Sequence, residues 1–254
     1  MAKSSKPPLT REKVLEEMGK RPWYHKIDLG DGIVTPGTLP PYPFLYKVPE
    51  RLDGLRVLDV GAWDGYWTFE AIRRGAGSVL AIDDFSDNTG DDSMVRGGWD
   101  NFDLCCRQLG LEFPRVDRIE MSVYNLNARD HGEFDVVFFF GTLYHLRHPL
   151  LAIEKIASVM RPGGRLYVET AMCDYYSPFV DNRECKNLYE GRSVVEFYPG
   201  REYGNNMSNW FVPNAPALAG MLESSGFEQI EVWQNQTPGT IAGARGWAKA
   251  TRSK

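Results

Sequence analysis

The chain has 254 residues, enough to bury one large core, and its 43% hydrophobic and 25% charged residues are the proportions of a globular protein. A net charge of −5 without a long basic run argues against a large nucleic-acid footprint, and the four cysteines show no zinc-site spacing. No apolar run reaches the ~20 residues that span a bilayer, and residues 1–10 lack the apolar core of a secretory signal. We therefore expect a cytoplasmic protein that uses neither a membrane nor a metal.

The first 50 residues divide into two parts. Residues 10–20 predict a short amphipathic helix with Thr10 as its N-cap. Residues 21–49 are rich in proline, glycine and aromatic residues, too apolar for a disordered linker and too broken for a helix. We interpret residues 1–50 as a helix followed by an ordered aromatic lid segment at the mouth of a site. The alternative is an aromatic brace on the back of the domain.

Residues 56–84 predict a strand, a tight turn, a helix and a second strand. Arg56–Val60 is a short apolar run that suits a buried strand, and it breaks at Gly61 and Gly65, with Asp64 expected to cap the following helix. Ser78–Asp83 predicts a second buried strand that ends in an acid. A glycine turn lets the backbone approach a ligand, and a carboxylate at a strand end can bind both ribose hydroxyls. This is the pattern of a nucleoside-binding βαβ unit.

The turn itself indicates which nucleoside. Trp63 stands where a dinucleotide fingerprint has its middle glycine, and Asp59 and Asp64 bracket the turn and would repel a pyrophosphate. Two acids suit a ligand with a cationic amino-acid end. The pattern resembles motif I of class I S-adenosylmethionine (SAM) methyltransferases, with Asp83 as the acid of motif II. The alternative is a generic α/β turn that binds nothing.

The remaining elements alternate in a regular way up to a polar, aromatic insertion at about residues 173–212. We predict an α/β fold in which residues 51–254 form a Rossmann-like class I methyltransferase domain. Its sheet has seven mostly parallel strands, with one antiparallel strand at the end and the insertion on the rim. The further strands are predicted at residues 116–121, 134–140, 165–170, 227–233 and 240–251, and the later helices at 149–160 and 213–225.

A narrower resemblance rests on PWYHKIDLGDGIVTPG, LDVGAWDGYW, FGTLYHLRHPL, YVET and NWFVPNAPALAGMLESSGF. From about residue 22 onward the chain resembles the tRNA (mo5U34) methyltransferases, also described as wobble-uridine carboxymethyltransferases, in a short form without their N-terminal extension. In that family a carboxymethyl group is transferred from carboxy-SAM to 5-hydroxyuridine of tRNA. The resemblance implies that six residues match the family's cofactor cradle: Gly61, Asp83, Asp84, Val123, Tyr124 and Phe140.

The resemblance also bears on the choice of cofactor. Tyr144 and Arg245 match two of the groups that hold the extra carboxylate of carboxy-SAM, and an arginine with a hydroxyl can bind a carboxylate. The third such group is a lysine in the family, and here the position is His25. A tryptophan and a further lysine of the family's cofactor site are replaced near Gly37 and Tyr42. Losing two lysines favours ordinary SAM and a small-molecule acceptor over carboxy-SAM and tRNA.

Methyl transfer to an oxygen or nitrogen also requires the removal of a proton. His145 follows the end of strand four, where ligands lie in open α/β sheets, and is the first candidate base; the alternative is that it caps the strand–helix junction. His25 is the second candidate, and Tyr144 could bind the acceptor or a cofactor carboxylate. The cofactor-binding candidates are Trp23, Asp59, Gly61, Ala62, Trp63, Gly65, Asp83, Asp84, Phe85, Ser122, Val123, Tyr124, Phe140 and Gly141. The acceptor-side candidates are Tyr24, Asp174, Tyr175, Tyr203, Trp210 and Arg245.

Three functions follow from these observations, in order of preference. The first is a SAM-dependent methyltransferase that transfers a methyl group to an oxygen of a small molecule. The second is a tRNA wobble-uridine carboxymethyl or methyl transferase that uses carboxy-SAM or SAM. The third is a non-catalytic SAM-binding module, against which the intact acid Asp83 and the polar, aromatic pocket argue.

Overall fold

The computed structural model describes residues 7–40, 43–85, 98–180, 187–235 and 244–254 and is built around a seven-stranded sheet. The strands are β1 (Arg56–Val60), β2 (Ser78–Asp83), β3 (Val116–Glu120), β4 (Phe134–Phe140), β5 (Met160–Ala171), the short β6 (Val195–Phe197) and β7 (Phe211–Pro213), β8 (Phe227–Gln234) and β9 (Arg245–Arg252). The order in the large sheet is β3-β2-β1-β4-β5-β9-β8, and β9 runs antiparallel to both of its neighbours. The predicted fold class is confirmed, and the antiparallel strand is last in sequence but second from the edge.

Helices cover both faces of this sheet. They are α1 (Arg11–Met18), α2 (Tyr66–Arg73), α3 (Asp100–Gln108), α4 (Ala128–His131), α5 (Pro149–Ser158) and α6 (Ala215–Ser224). One face buries Phe139 against Ile153 of α5 and Leu218 of α6, and the other buries Phe138 beside Trp67 of α2. Because β1 and β4 are apolar on both faces, they occupy the centre of the sheet. None of the helices in the described ranges is long and apolar enough to cross a membrane.

The fifth strand is longer than the sequence predicts. Residues 161–164, between the predicted helix and the predicted strand, lie inside β5, and Met160, predicted as the end of that helix, already pairs with Phe134. The register between the two strands then shifts, because the residues up to Gly164 form an irregularity before Arg165 resumes pairing. A Cβ on Gly164 would lie 2.9 Å from the carbonyl oxygen of Arg161, which explains the glycine there. The part of the predicted last strand at 240–243 lies outside the described residues.

The N-terminal segment packs beside α2 and α3. Thr10 accepts a hydrogen bond from the backbone nitrogen of Lys13, so the predicted N-cap of α1 is confirmed. Beyond α1, the apolar residues of the segment, Trp23, Ile27, Leu29 and Ile33, join a core cluster that also contains Ala62 of the glycine turn, Phe69 of α2 and Phe102 of α3. The segment is thereby fixed along the glycine turn, which supports the predicted site-side placement over a brace on the back of the domain.

The rim insertion has its own small core. Its strands β6 and β7 pair with each other, and Tyr198, Tyr203 and Val212 pack with Ala171 and Cys173 at the end of β5. The insertion therefore rests on the edge of the sheet where the parallel strands end, with part of its predicted range, 181–186, outside the described residues.

Candidate active site

The turn after β1 lies directly against the turn after β4. Gly61 has φ +76°, and a Cβ there would lie 2.1 Å from Oγ1 of Thr142. The Thr142 hydroxyl is itself held in place, since it donates a hydrogen bond to the carbonyl oxygen of Phe140 at 3.0 Å. Only glycine therefore allows the two turns to meet.

Asp64 does not cap α2, so that prediction was wrong. Gly65 occupies the N-cap position with φ +90° and no side-chain cap, and the Asp64 carboxylate instead accepts from the backbone nitrogens of Tyr24 (2.7 Å) and His25 (2.9 Å). Its other oxygen accepts from the amide of Asn101 at 3.1 Å. Asp64 thus ties the aromatic segment to the glycine turn, and its buried carboxylate is committed to that task.

The acid predicted to bind ribose lies beside the same turn. Asp83 is buried at the end of β2, and its Oδ2 accepts a hydrogen bond from the backbone nitrogen of Trp63 at 2.8 Å. The Trp63 ring stacks on Tyr24, with centroids 4.7 Å apart and planes at 26°. Asp59 is also buried and accepts from the Thr68 hydroxyl at 2.7 Å, and burial raises its pKa to about 7. The turn, the acid and the aromatic segment form one connected unit.

Three of the predicted cofactor-binding residues, Ser122, Val123 and Tyr124, follow β3. Val123 is buried in the 3₁₀ turn Val123–Asn125, and Ser122 occupies the N-cap position of this turn. The Tyr124 hydroxyl accepts a hydrogen bond from the backbone nitrogen of His148 at 3.0 Å. At the end of β4, Gly141 has φ +66°, and a Cβ there would meet Oε2 of Glu169 at 3.7 Å. The turn after β4 therefore lies beside the Glu169 carboxylate.

A buried ion pair lies at this edge of the sheet. The guanidinium of Arg245, at the start of β9, donates to the carboxylate of Glu169 near the end of β5, and both side chains are largely buried (15% and 3% exposed). Its central carbon lies 4.6 Å from the ring centroid of Tyr144. Burial opposes the charge on Arg245, but Glu169 and Tyr144 raise its pKa well above the ordinary value. The positive charge is thus balanced within the protein.

Tyrosine hydroxyls surround this pair. Burial of the Tyr24 hydroxyl, with a further contribution from nearby Tyr144, raises its pKa to about 12, although its ring is partly exposed. Tyr203 is 1% exposed, its hydroxyl has no hydrogen-bond partner among the described residues, and burial raises its pKa. These tyrosines stay protonated at neutral pH, so the site offers neutral hydroxyl donors.

The two candidate bases differ in their surroundings. His145 is half-buried in the 3₁₀ turn Leu143–His145, and its Nδ1 lies 3.1 Å from the carbonyl oxygen and 2.9 Å from the hydroxyl of Ser208. His25 packs edge-on against Tyr24, its Nδ1 has no partner among the described residues, and burial lowers its pKa to about 3. A neutral imidazole therefore stands where the resemblance implies a lysine.

Several candidates lie apart from this group. Trp23 is a core residue that donates to the carbonyl oxygen of Met18, and Phe85 packs edge-on against Trp99. Asp174 is buried, and its carboxylate accepts from the first backbone nitrogen of α6, while its acceptor-side role stays a prediction. The ring of Trp210 lies under the guanidinium of Arg147, 3.8 Å from its central carbon. Asp84 and Tyr175 are half-buried.

Sequence reasoning missed two functional-site residues. Glu169 carries a signal that could have been used, because a carboxylate in the apolar run of β5 needs a buried partner. Ser208 carries no such signal, since only the folded insertion brings it to His145, 63 residues away. In the described part of the chain, no cluster of three or more histidine, cysteine, aspartate or glutamate residues could hold a metal ion.

Comparison with solved structures agrees with this architecture. The N-terminal domain of EvdMO1, solved in the presence of SAH and D-fucose, superposes with a TM-score of 0.62 at 20% identity, covering 97% of this chain and 98% of that one. The 1,6-didemethyltoxoflavin-N1-methyltransferase of Burkholderia thailandensis gives a TM-score of 0.53 at 19% identity over 80% of this chain and 72% of its own. The fold, with a glycine turn and a strand-end acid, is that of a class I methyltransferase.

Sequence comparison identifies the family. Residues 42–232 match the model of a methyltransferase domain, and the chain belongs to this family of SAM-dependent methyltransferases. It is 29% identical over 191 residues to the tRNA U34 carboxymethyltransferase of Idiomarina loihiensis (74% of this chain, 50% of that protein). It is 31% identical over 182 residues to the enzyme of the same name from Methylococcus capsulatus (71% and 47%). The predicted resemblance is confirmed, and the chain spans about half the length of these curated relatives.

Proposed function

We propose that this chain transfers a methyl group from SAM to a hydroxyl group of a small molecule. The observation that carries the proposal is the internal charge balance of the site. Arg245 is already paired with Glu169, and His25 is a neutral imidazole. A site for carboxy-SAM needs a net positive charge for the extra carboxylate, whereas SAM needs none at this position.

The residues of the site fit SAM. The Asp83 carboxylate accepts from the backbone nitrogen of Trp63, and a carboxylate is an acceptor-only group of the kind that ribose hydroxyls need. The positive φ angles of Gly61 and Gly65 shape a backbone turn beside it. Val123, buried after β3, is our candidate for the contact with the adenine ring.

When bound, SAM supplies a methyl group on a sulfonium, which departs as a neutral thioether when an acceptor attacks the methyl carbon. The residues of this chain then have two tasks, to orient the acceptor and to take its proton. Tyr24 and Tyr203 supply neutral hydroxyls suited to a polar, uncharged acceptor, and Tyr144 lies beside Arg245. His145 is the candidate base that takes the proton of the acceptor.

Calorimetric titration with SAM and with carboxy-SAM tests the cofactor assignment. We expect wild-type protein to bind SAM more tightly by roughly tenfold or more, because a further anion would have to compete with Glu169 for Arg245. The Glu169→Gln variant, which releases Arg245, is expected to shift the preference toward carboxy-SAM. The matched control is Glu231→Gln, which breaks the exposed pair with Lys249 on β9 and should leave the preference unchanged. A wild-type preference for carboxy-SAM would contradict the proposal.

A second function, the transfer of a carboxymethyl or methyl group to a wobble uridine of tRNA, is favoured by one specific observation. Arg245 lies against Tyr144, the two groups that the resemblance assigns to a cofactor carboxylate, and the relatives named above are tRNA carboxymethyltransferases. Against tRNA stands the net charge of −5, since tRNA binding relies on phosphate neutralisation. A salt-dependent mobility shift with unmodified tRNA, together with carboxy-SAM preference, would support this alternative. The cytoplasmic location stays a prediction under either function.

A further inference from the structure

A directed chain of hydrogen bonds reaches His145 from the rim insertion. The Ser208 hydroxyl donates to Oδ1 of Asn206 at 2.8 Å, and the same Asn206 oxygen accepts from the backbone nitrogen of Ser208 at 2.9 Å. Ser208 is 4% exposed, and both its carbonyl oxygen and its hydroxyl oxygen lie within 3.1 Å of Nδ1 of His145. The segment is attached to the histidine turn by a further bond, from the backbone nitrogen of Trp210 to the carbonyl oxygen of Tyr144.

This arrangement fixes which imidazole nitrogen carries the proton. A carbonyl oxygen can only accept, so a contact at 3.1 Å requires a hydrogen on Nδ1. The Ser208 hydroxyl gives its own proton to Asn206, so it too presents lone pairs to Nδ1. Two acceptors therefore face Nδ1, and the neutral ring must carry its lone pair on Nε2.

We propose that Ser208 and Asn206 are positioning residues that hold His145 in the Nδ1–H tautomer, so that Nε2 serves as the base for a hydroxyl acceptor. This inference rests on the proposed function, because a base is needed only where the acceptor loses a proton. It adds that the insertion contributes to proton transfer as well as to acceptor binding.

The proposed step balances. The acceptor O–H bond breaks and its proton passes to Nε2, while an oxygen lone pair forms the new bond to the methyl carbon. The C–S bond breaks with its electron pair on sulfur. The imidazolium that results keeps its Nδ1–H bonded to the Ser208 carbonyl, and it returns to neutral by releasing the Nε2 proton to solvent.

The tautomer can be measured directly. The chain has four histidines, so long-range ¹⁵N–¹H correlation spectra of labelled protein resolve each ring, with His145→Gln to assign the signals. A protonated ring nitrogen resonates well upfield of one with a lone pair. We expect His145 in the wild type to show protonated Nδ1 and lone-pair Nε2 at neutral pH, and a protonated Nε2 would overturn the inference.

Variants of Asn206 separate positioning from packing. In Asn206→Ala the Ser208 hydroxyl can turn and donate to Nδ1, so we expect a mixture of tautomers and a kcat lower by roughly tenfold, with KM for SAM unchanged. Asn206→Asp keeps an acceptor oxygen and should show the single tautomer and the kcat of the wild type. The control is Asn205→Gly, at an exposed position with φ +54° that glycine tolerates, which should leave tautomer and kcat as in the wild type.

The two proposals fail in different ways. Absence of methyl transfer to any hydroxyl compound would contradict the proposed function while the tautomer could still be read from the spectra. An unchanged tautomer together with an unchanged kcat in Asn206→Ala would overturn the positioning role of Asn206, even in a fully active enzyme.

Discussion

The His25 ring is half-buried, with its Nδ1 atom buried, in a segment that also contacts the glycine turn. The backbone nitrogen of His25 donates to Asp64, its ring faces Tyr24 and Tyr66, and no charged partner among the described residues offsets a positive charge on it. Since its pKa falls from 6.5 to about 3 on folding, the unfolded chain binds the extra proton between these values. The folded state is therefore penalised as the pH falls through this range.

The pH dependence of unfolding tests this placement. In the wild type, the contribution of neutral His25 to the free energy of unfolding is fully present above pH 6.5 and is lost as the pH falls toward 3. Replacing it by glutamine removes the titration, so the difference in unfolding free energy between wild type and His25→Gln should change by up to roughly 3 kcal/mol from pH 7 to pH 4. Urea unfolding at several pH values measures it. The raised pKa of Asp59 makes stability depend on pH with the opposite sign, but Asp59 is present in both proteins, so its effect cancels in the difference between them. Parallel pH profiles for the two proteins would show that folding does not lower the pKa of His25.

Gly61 combines a left-handed backbone with a close contact. We expect Gly61→Ala to lose about 3 kcal/mol or more of stability, since the new Cβ would lie 2.1 Å from Thr142 Oγ1 in addition to the strain of φ +76°. Gly30→Ala is the matched control, with φ +84° and, its chain neighbours aside, no atom of the described residues within 4 Å of the new Cβ; it should lose only about 1 kcal/mol. Urea unfolding of both variants gives the comparison, and equal losses would contradict the contact between the two turns.

At the scale of elements, Asn214 connects the insertion to α6. Its Oδ1 accepts from Ala217 as the N-cap and also from the backbone of Val194, and its Nδ2 donates to the carbonyl oxygen of Arg192. One side chain thus caps a helix that packs on the sheet and holds the segment that leads into β6. The placement of this part of the insertion against α6 therefore depends on Asn214.

We predict that Asn214→Ala costs about 2–3 kcal/mol, from the lost cap and two further hydrogen bonds, and exposes the insertion to proteases. Asn127→Ala, which removes the cap of the short helix α4 and a local hydrogen bond to Asn125, is the control for the loss of a cap without a link to the insertion. Limited proteolysis with mass spectrometry should find new cuts near residues 187–197 in the first variant and none in the second. A cleavage pattern like that of the wild type in both would contradict the linking role.

At the scale of the whole molecule, the cofactor is expected to stabilise the fold through Asp83. Saturating SAM binds only the folded state, so 100 times the dissociation constant adds about 2.7 kcal/mol and raises Tm by roughly 5–10 °C. Asp83→Asn keeps an oxygen for the backbone of Trp63 but loses the charge, so this rise should be largely lost while Tm without SAM changes little. The control Asp117→Asn lies on exposed β3 surface and should respond to SAM as the wild type does. An equal rise in all three proteins would contradict the ribose contact.

The sequence by itself determined the sheet, because alternating apolar runs and glycine turns are local patterns that burial enforces. It also placed Gly61, Asp83 and Gly141 at strand ends, and hence at one edge of a parallel sheet. What Asp64 and Asp174 bind was decided only by the tertiary structure, since each carboxylate is taken by backbone nitrogens distant in sequence. The same is true of the Arg245–Glu169 pair and the Ser208–His145 contact, which join residues 76 and 63 positions apart. Charge balance and tautomer depend on which groups are neighbours in space, and that is the information a linear pattern does not carry.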